Sequence, residues 1–431
     1  MPYDSFLLDP ILLFLTGWCV SWLLARRPAR FRPAVMQGTV AVTLVVYWGT
    51  SVSLYFDLPW TRWLWELCGA QTGRDWMLNS GLFHFEFRHP GWLTHLISFL
   101  IFLTYPLWIL AGLASGMPRL RTGLELGARR WRGQKPRQEV WYGTATDPRT
   151  GDALWLHAET VAPPHDAPYA HGWAAFFPAH GEPVLSRFGP APVQQPEARW
   201  FAADATTLTP DAWQGQTPRI TWNLQQNLLT PPLLPFARWL WEMEALPGAM
   251  VVLDPQARWS GQLTVDGAVL DFAGPVGLAR IYGHGSAARW AWLHADLGDG
   301  AVLEVVAAVS TRPGLTRLRP APFVRLRWQG QDWPRFPLLA ALTAFRCEPT
   351  LPGWTLEGQV GNRRLRVAVA LPPERCVAVA YRDPDGQTAT CTHSARADAT
   401  VVLELRQGGA WTVAQRWDLA ATAHAEVGLR P

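Results

Sequence analysis

A chain of 431 residues has room for two or three domains, and its 49% apolar and 17% charged content sits below the charge usual for soluble domains. The net charge of +4 is mild, Lys135 is the only lysine, and the 26 tryptophans suit aromatic-lined cavities or membrane interfaces. Five cysteines without a CxxC or a Cys/His cluster argue against a zinc site, and no P-loop, dinucleotide fingerprint or Gly-x-Ser-x-Gly supports an NTPase, Rossmann or hydrolase reading.

In chain order, three apolar runs come first: Phe6–Ala25, Ala34–Phe56 and Leu93–Met117, each near the ~20 residues that cross a bilayer. Arginines crowd Arg26–Pro33 and again Arg119–Arg137, so both basic loops fall on one side by helix count. The expectation is a three-helix transmembrane anchor over 1–118. It places a multi-pass protein in a bacterial inner membrane, with the N-terminus outside and a basic juxtamembrane linker, 119–137, leading to a cytoplasmic domain. The bilayer is then a partner. Trp60, Trp63 and Trp65 read as an interfacial helix, and the spacing of His84, Glu86, His89 and His95 lacks a recognised ligand pattern. No nucleic-acid motif accompanies the arginines.

From Gln138 onward, short β-type runs alternate with Pro, Gly and Asp-Gly breaks. Ala153–His157, Trp173–Phe177, Arg219–Leu224, Ala301–Ser310 and Thr400–Leu405 are examples. Asp266-Gly267, Asp299-Gly300, Asp385-Gly386 and Gly408-Gly409 mark hairpin turns, and only Phe236–Met243 reads as a helix. An antiparallel all-β domain over 138–431, built as two packed lobes or barrels, is expected.

Within it, Ile281–Asp296 stands out. As a strand from Arg289, its period of two puts Trp290, Trp292, His294 and Asp296 on one face. Gly283-His284-Gly285 beside Tyr282 is a turn-like break carrying another imidazole. Such a face is either packed wall or the lining of a pocket with proton-handling groups. His157, His165, His171 and His180 read as surface or rim, and His393 and His424 as structural.

The phrases Trp141–Pro148, Gly151–Trp155, Thr221–Leu224, Ala257–Gly261 and Tyr282–Trp292 together resemble the lipocalin-like superfamily of hydroxyneurosporene synthase (the carotenoid hydratase) and tocopherol cyclase, over 138–431. This resemblance implies a lipocalin-like fold and protonation of an isoprenoid, carotenoid or quinone-type double bond, hydrating or cyclising it without a metal or other cofactor. Asp296 or Glu304 would be the acid, tuned by His294 or His284, and Tyr282, Trp290, Trp292 and Trp222 would line the ligand site. A non-catalytic lipid or pigment binder, or a structural protein whose β domain docks a partner, are the alternatives.

Overall fold

The computed structural model describes residues 5–25, short pieces between 38 and 66, residues 104–116, and residues 123–430 apart from 195–198, 237–240, 242–247 and 312–313. The chain forms two compact units, Met1–Arg119 and Leu120–Pro431.

In the first unit, helices α1 (Ser5–Ala25) and α2 (Tyr105–Gly116) pack closely. Gly17 and Gly112 sit at the crossing, where a Cβ would come within 2.2 Å of the Ile109 carbonyl oxygen or 1.9 Å of that of Phe14. Only glycine allows the two backbones to approach so closely.

The expected three-span anchor is corrected here, and with it the multi-pass inner-membrane placement and the bilayer as partner: among the described residues no helix is long and apolar enough to cross a membrane. α1 is continuous over its 21 residues but carries Asp9 and Pro10 in its first turns, so its purely apolar stretch runs only from Ile11 to Ala25, about 22 Å. The 12 residues of α2 reach about 18 Å, against a hydrocarbon core of ~30 Å. Nearly all of the second expected span, the first part of the third, most of the Trp60–Trp65 segment and the His84–His95 group lie outside the described residues.

Among its described residues the second unit is antiparallel β, apart from α3 (Gly123–Gly127), α4 (Pro337–Thr343), the 3-10 turn Pro373–Arg375 and helical Trp241; most of the helix expected over Phe236–Met243 lies outside the described residues. Its first sheet contains β1 (Arg137–Thr146), β2 (Ala153–Ala162), β3 (Tyr169–Phe177), β4 (Val184–Pro192), β5 (Phe201–Ala203), β6 (Thr206–Leu208), β7 (Ala212–Gln216), β8 (Ile220–Asn227), β9 (Gly248–Val265) and β10 (Ala268–Gly283). The order is β4-β3-β2-β1-β10-β9-β8-β7-β6-β5, and the sheet curls until Phe188 on one edge lies 6.2 Å from Phe201 on the other.

The second sheet contains β11 (Arg289–Gly298), β12 (Ala301–Val309), β13 (Ala321–Trp328), β14 (Gln331–Trp333), β15 (Phe345–Cys347), β16 (Gly353–Val360), β17 (Arg363–Ala370), β18 (Val377–Arg382), β19 (Thr388–Gln407) and β20 (Ala410–Leu429). It runs β14-β13-β12-β11-β20-β19-β17-β16-β15, with β18 paired to β19. Trp333 and Phe345 meet 5.6 Å apart across its edges. Nearly closed sheets of this kind leave few free edge groups.

Three of the Asp-Gly and Gly-Gly turns work as hairpins need: Asp266, Gly267, Asp299, Gly300, Gly408 and Gly409 all take positive φ. Alternation then sorts the side chains. The inner faces make two apolar cores, one rich in Trp (Trp141, Trp213, Trp222, Trp259) and one of small aliphatics such as Ala291, Leu293, Val305 and Val401. The outer faces of β1–β3 and of β11, β12, β19 and β20 are also buried. There the two sheets meet in a seam.

Candidate functional site

Each side of the seam is a set of cross-strand rows. On the first sheet, register aligns Tyr142, His157 and Trp173 in one row, Val140, Glu159 and His171 in the next, and Thr144, Trp155 and Ala175 in a third. On the second, Glu304, His294 and His424 form one row, and Val306, Trp292, Glu426 and His393 another. Residues directly opposite within a sheet lie close enough to bond or stack.

They do both. Trp292 Nε1 donates to Glu304 Oε1 at 2.6 Å, and His294 Nδ1 lies 2.9 Å from Glu304 Oε2. Trp290 Nε1 donates to Glu426 Oε1 at 2.8 Å, and His393 Nδ1 is 3.1 Å from Glu426 Oε2. Between the sheets, His424 is held by the Thr144 and Thr146 hydroxyls, the latter at 2.9 Å from Nε2. The His393 ring stacks on Trp155 with centroids 3.8 Å apart and lies nearly parallel to Trp292 at 6.0 Å. His157 stacks on Trp173 at 3.7 Å, and the half-buried Tyr381 meets both edge-on. A Cβ at Gly277 would stand 2.6 Å from His294 Nε2, so glycine is what lets the imidazole lie against β10.

Burial governs the proton chemistry. The Glu304 carboxyl is 1% exposed, and desolvation raises its pKa against the opposing His294 and Trp292 hydrogen bonds. Burial lifts Glu159 further, to about 8, so that carboxyl keeps its proton at neutral pH. It also pushes the imidazoles down: His171 to about 4, His157 and His424 well below their ordinary value, and His393 below it despite Glu426. The seam therefore sets one carboxyl that stays protonated at neutral pH, Glu159, beside His157 and His171, whose neutral forms burial favours, walled by indoles. Such an arrangement can deliver and recover a proton where water is scarce. Among the described residues no cluster of three or more His, Cys, Asp or Glu is arranged to hold a metal.

The structure places the sequence-derived candidates in four locations. Glu304, His294, Trp292 and Trp290 come together at the seam. Asp296 lies at its margin, accepting from Gln256 Nε2 at 3.0 Å and from the Gly298 amide at 3.1 Å. His284 is at an exposed end of the first sheet, with Arg137 Nη1 2.8 Å from its Nδ1. Trp222 and Tyr282 point into the first sheet: Trp222 packs on Phe188, and the Arg130 guanidinium stands 5.2 Å over the Tyr282 ring.

The reading of His157 as surface or rim is corrected, because β2 is covered on both faces; His171 is partly exposed at the rim, and His165 and His180, in the flanking turns, are exposed. Glu159, Tyr142, Tyr381, Glu426, His393 and His424 also belong to the seam. One signal for them was present: His157 and Glu159 two apart in an otherwise apolar run, the spacing that puts both on one strand face.

The tocopherol cyclase-like family model matches residues 218–429. An uncharacterized protein of Mycobacterium tuberculosis, found in strains H37Rv and CDC 1551, is 47% identical over 307 residues, which cover 70% of this chain and 89% of that protein. Among solved structures, the AttH protein from Nitrosomonas europaea shares 14% identity with a TM-score of 0.48, covering 72% of this chain and 96% of its own. Kievitone hydratase from Nectria haematococca shares 10% with a TM-score of 0.45, covering 67% and 88%.

Proposed function

This chain belongs to the tocopherol cyclase-like family, and from that premise we propose that it is a hydratase or cyclase acting on a double bond of an isoprenoid, carotenoid or prenylated quinone, with the seam as the reaction site. The observation that carries the reading is the pair of buried carboxyls, Glu304 and Glu159, each set among imidazoles and indoles and each holding its proton more tightly than usual.

Adding water or an internal hydroxyl to an isolated olefin begins with proton transfer to carbon. It passes through a tertiary carbocation that bulk water would quench unselectively. A neutral carboxyl in a water-poor site supplies the proton, and the faces of Trp292, Trp155 and Trp173 supply the negative quadrupole that a cation prefers. The neutral imidazoles can accept the proton released when oxygen attacks. In this reading Glu304 and His294 take part at the seam and Trp290 and Trp292 line it, while Asp296, His284, Tyr282 and Trp222 stay outside the proton path.

The test is incubation of the purified chain in D2O with squalene, lycopene and a prenylated hydroquinone, followed by mass spectrometry. Hydration adds the elements of D2O, and cyclisation leaves one non-exchangeable deuterium on carbon. A Glu159→Gln/Glu304→Gln double variant is expected to do neither. Absence of deuterium from every probe with the unaltered chain sinks the proposal, and co-purification of an unconverted isoprenoid would instead identify a binder.

A further inference from the structure

Glu304 and Glu159, the two fully buried seam carboxyls, are not equivalent as donors. Both oxygens of Glu304 already have a partner, Trp292 on Oε1 and His294 on Oε2. A proton held there lies in the bond to His294, which is itself packed against Gly277. Glu159 differs. Both of its contacts fall on Oε2, with His157 Nε2 at 3.3 Å and His171 Nε2 at 3.6 Å, and Oε1 accepts no hydrogen bond among the described residues.

The neighbourhood is unsatisfied as well. His171 Nε2, Trp173 Nε1 and His393 Nε2 are buried atoms without a hydrogen-bond partner among the described residues, although Trp173 and His393 are fully buried. Orphaned buried polar atoms are uncommon, and here they occur on side chains linked through Trp155 and Trp173. They mark a place for oxygen: a water, or a substrate hydroxyl. His171 and Tyr381, beside Glu159, are partly exposed, as is Glu426 beside His393, so a ligand can reach this part of the seam.

Resting on the hydratase or cyclase reading, we propose that Glu159 is the residue that protonates the substrate double bond, that His171 takes up the proton lost by the attacking oxygen, and that Glu304 is a positioning residue for Trp292 and His294. The Glu159 O–H bond breaks as a C–H bond forms at the less substituted olefinic carbon, with the π pair supplying the electrons. The other carbon becomes the tertiary cation, and the oxygen of water or of an internal hydroxyl bonds to it. That oxygen gives its proton to His171 Nε2, which returns it to the Glu159 carboxylate 3.6 Å away. The net change is addition of water, or ring closure with no net gain, and the enzyme ends as it began.

The experiment is the pH profile of kcat/KM on whichever of the three probes is converted. Activity that needs a protonated Glu159 falls as pH rises through about 8. Glu159→Gln is expected to lose about 10²- to 10⁴-fold and to lack that alkaline limb in its residual rate. Glu304→Gln is expected to be slower and to keep the limb. Wild-type turnover by Glu159→Gln, or survival of the limb in it, overturns the assignment while leaving the hydratase or cyclase reading standing. Failure of the unaltered chain on every probe sinks that reading instead.

Should Glu159→Gln not fold, infrared spectra of Glu304→Gln decide without any substrate. A protonated-carboxyl band at pH 7 that titrates away near pH 8 supports the donor, and its absence overturns it.

Discussion

Two buried glutamates on neighbouring strands of the first sheet, Glu139 and Glu159, face opposite ways and meet opposite surroundings. Glu139 points into the first sheet. There Arg280 donates to it, and the Arg130 and Trp131 amides donate at 2.6 and 3.0 Å. Glu159 points into the seam, where it finds two neutral imidazoles and no cation-bearing donor. One carboxyl is locked in a fixed ion pair by a guanidinium and two amides, and the other stays protonated at neutral pH with a proton to give up in a reaction. The difference separates a structural interior from a chemical one within a single β domain.

The largest break in that comparison comes from Arg280. It is 2% exposed, and its guanidinium lies 5.4 Å over Trp141. Arg280→Met leaves the Glu139 charge buried without its cation, and denaturant unfolding should show a loss of about 3–5 kcal/mol. The corresponding change at the seam, Glu159→Gln, removes no charge at neutral pH. It should cost less than about 1 kcal/mol while lowering turnover by about 10²- to 10⁴-fold. Equal destabilisation by the two variants would erase the distinction.

Thermal stability against pH sharpens it further. Glu159, with a folded pKa of about 8, binds a proton more tightly folded than unfolded, so its contribution is greatest at low pH and is lost as pH rises toward 8. His157, His171, His393 and His424 have folded values below 6.5; their contribution is present above 6.5 and is lost as pH falls through that value toward about 4 for His171. Four histidines on the acid side outnumber the three carboxyls that burial raises and that oppose them, Glu159, Glu304 and Asp383. The melting temperature should therefore peak near pH 6.5 and decline on both sides. A profile flat from pH 5 to 8 would contradict the buried neutral seam.

The legibility of these features in the sequence follows the range of the interactions. Asp266-Gly267 and Asp299-Gly300 mark hairpins because only certain residues accept positive φ, and that is local chemistry. Trp290, Trp292 and His294 share a face by strand period alone, and Glu304 arrives opposite His294 one tight turn later. By contrast, Thr144 and His424 are 280 residues apart, and Trp155 meets His393 only because two sheets stack. No local pattern announces such contacts, so His157 and His171 read as surface or rim, and Glu159 is not singled out. The N-terminal anchor was over-read for the opposite reason: a hydropathy window averages across Asp9 and Pro10, which shorten the purely apolar stretch of α1.

A smaller effect tests whether His294 is held by shape. Gly277→Ala brings a methyl to within 2.6 Å of His294 Nε2, and the imidazole must move off β10. The cost should be about 1–3 kcal/mol, as for other overpacked sites, with a shift of the His294 ring resonances. Unchanged His294 resonances would mean that the ring has slack and that Glu304 alone does not fix its position.

The smallest expected change is the most specific. Trp292 gives Glu304 its only indole donor, at 2.6 Å, and its ring meets Tyr142 edge-on at 5.5 Å. Trp292→Phe keeps a six-membered aromatic ring for Tyr142 but deletes the N–H. Loss of one hydrogen bond to a buried carboxyl should cost about 1 kcal/mol, plus a cavity term for the missing ring atoms. Its effect on protonation has a definite sign: that hydrogen bond lowers the Glu304 pKa, so removing it lets burial raise the value further. In the infrared titration the Glu304 band should then persist to higher pH, while the band assigned to Glu159, on the other sheet, stays near pH 8. If both bands move together, the two carboxyls titrate as one coupled unit and donor and positioning roles cannot be divided between them. If only the Glu304 band moves, the seam contains two separable carboxyls with different roles.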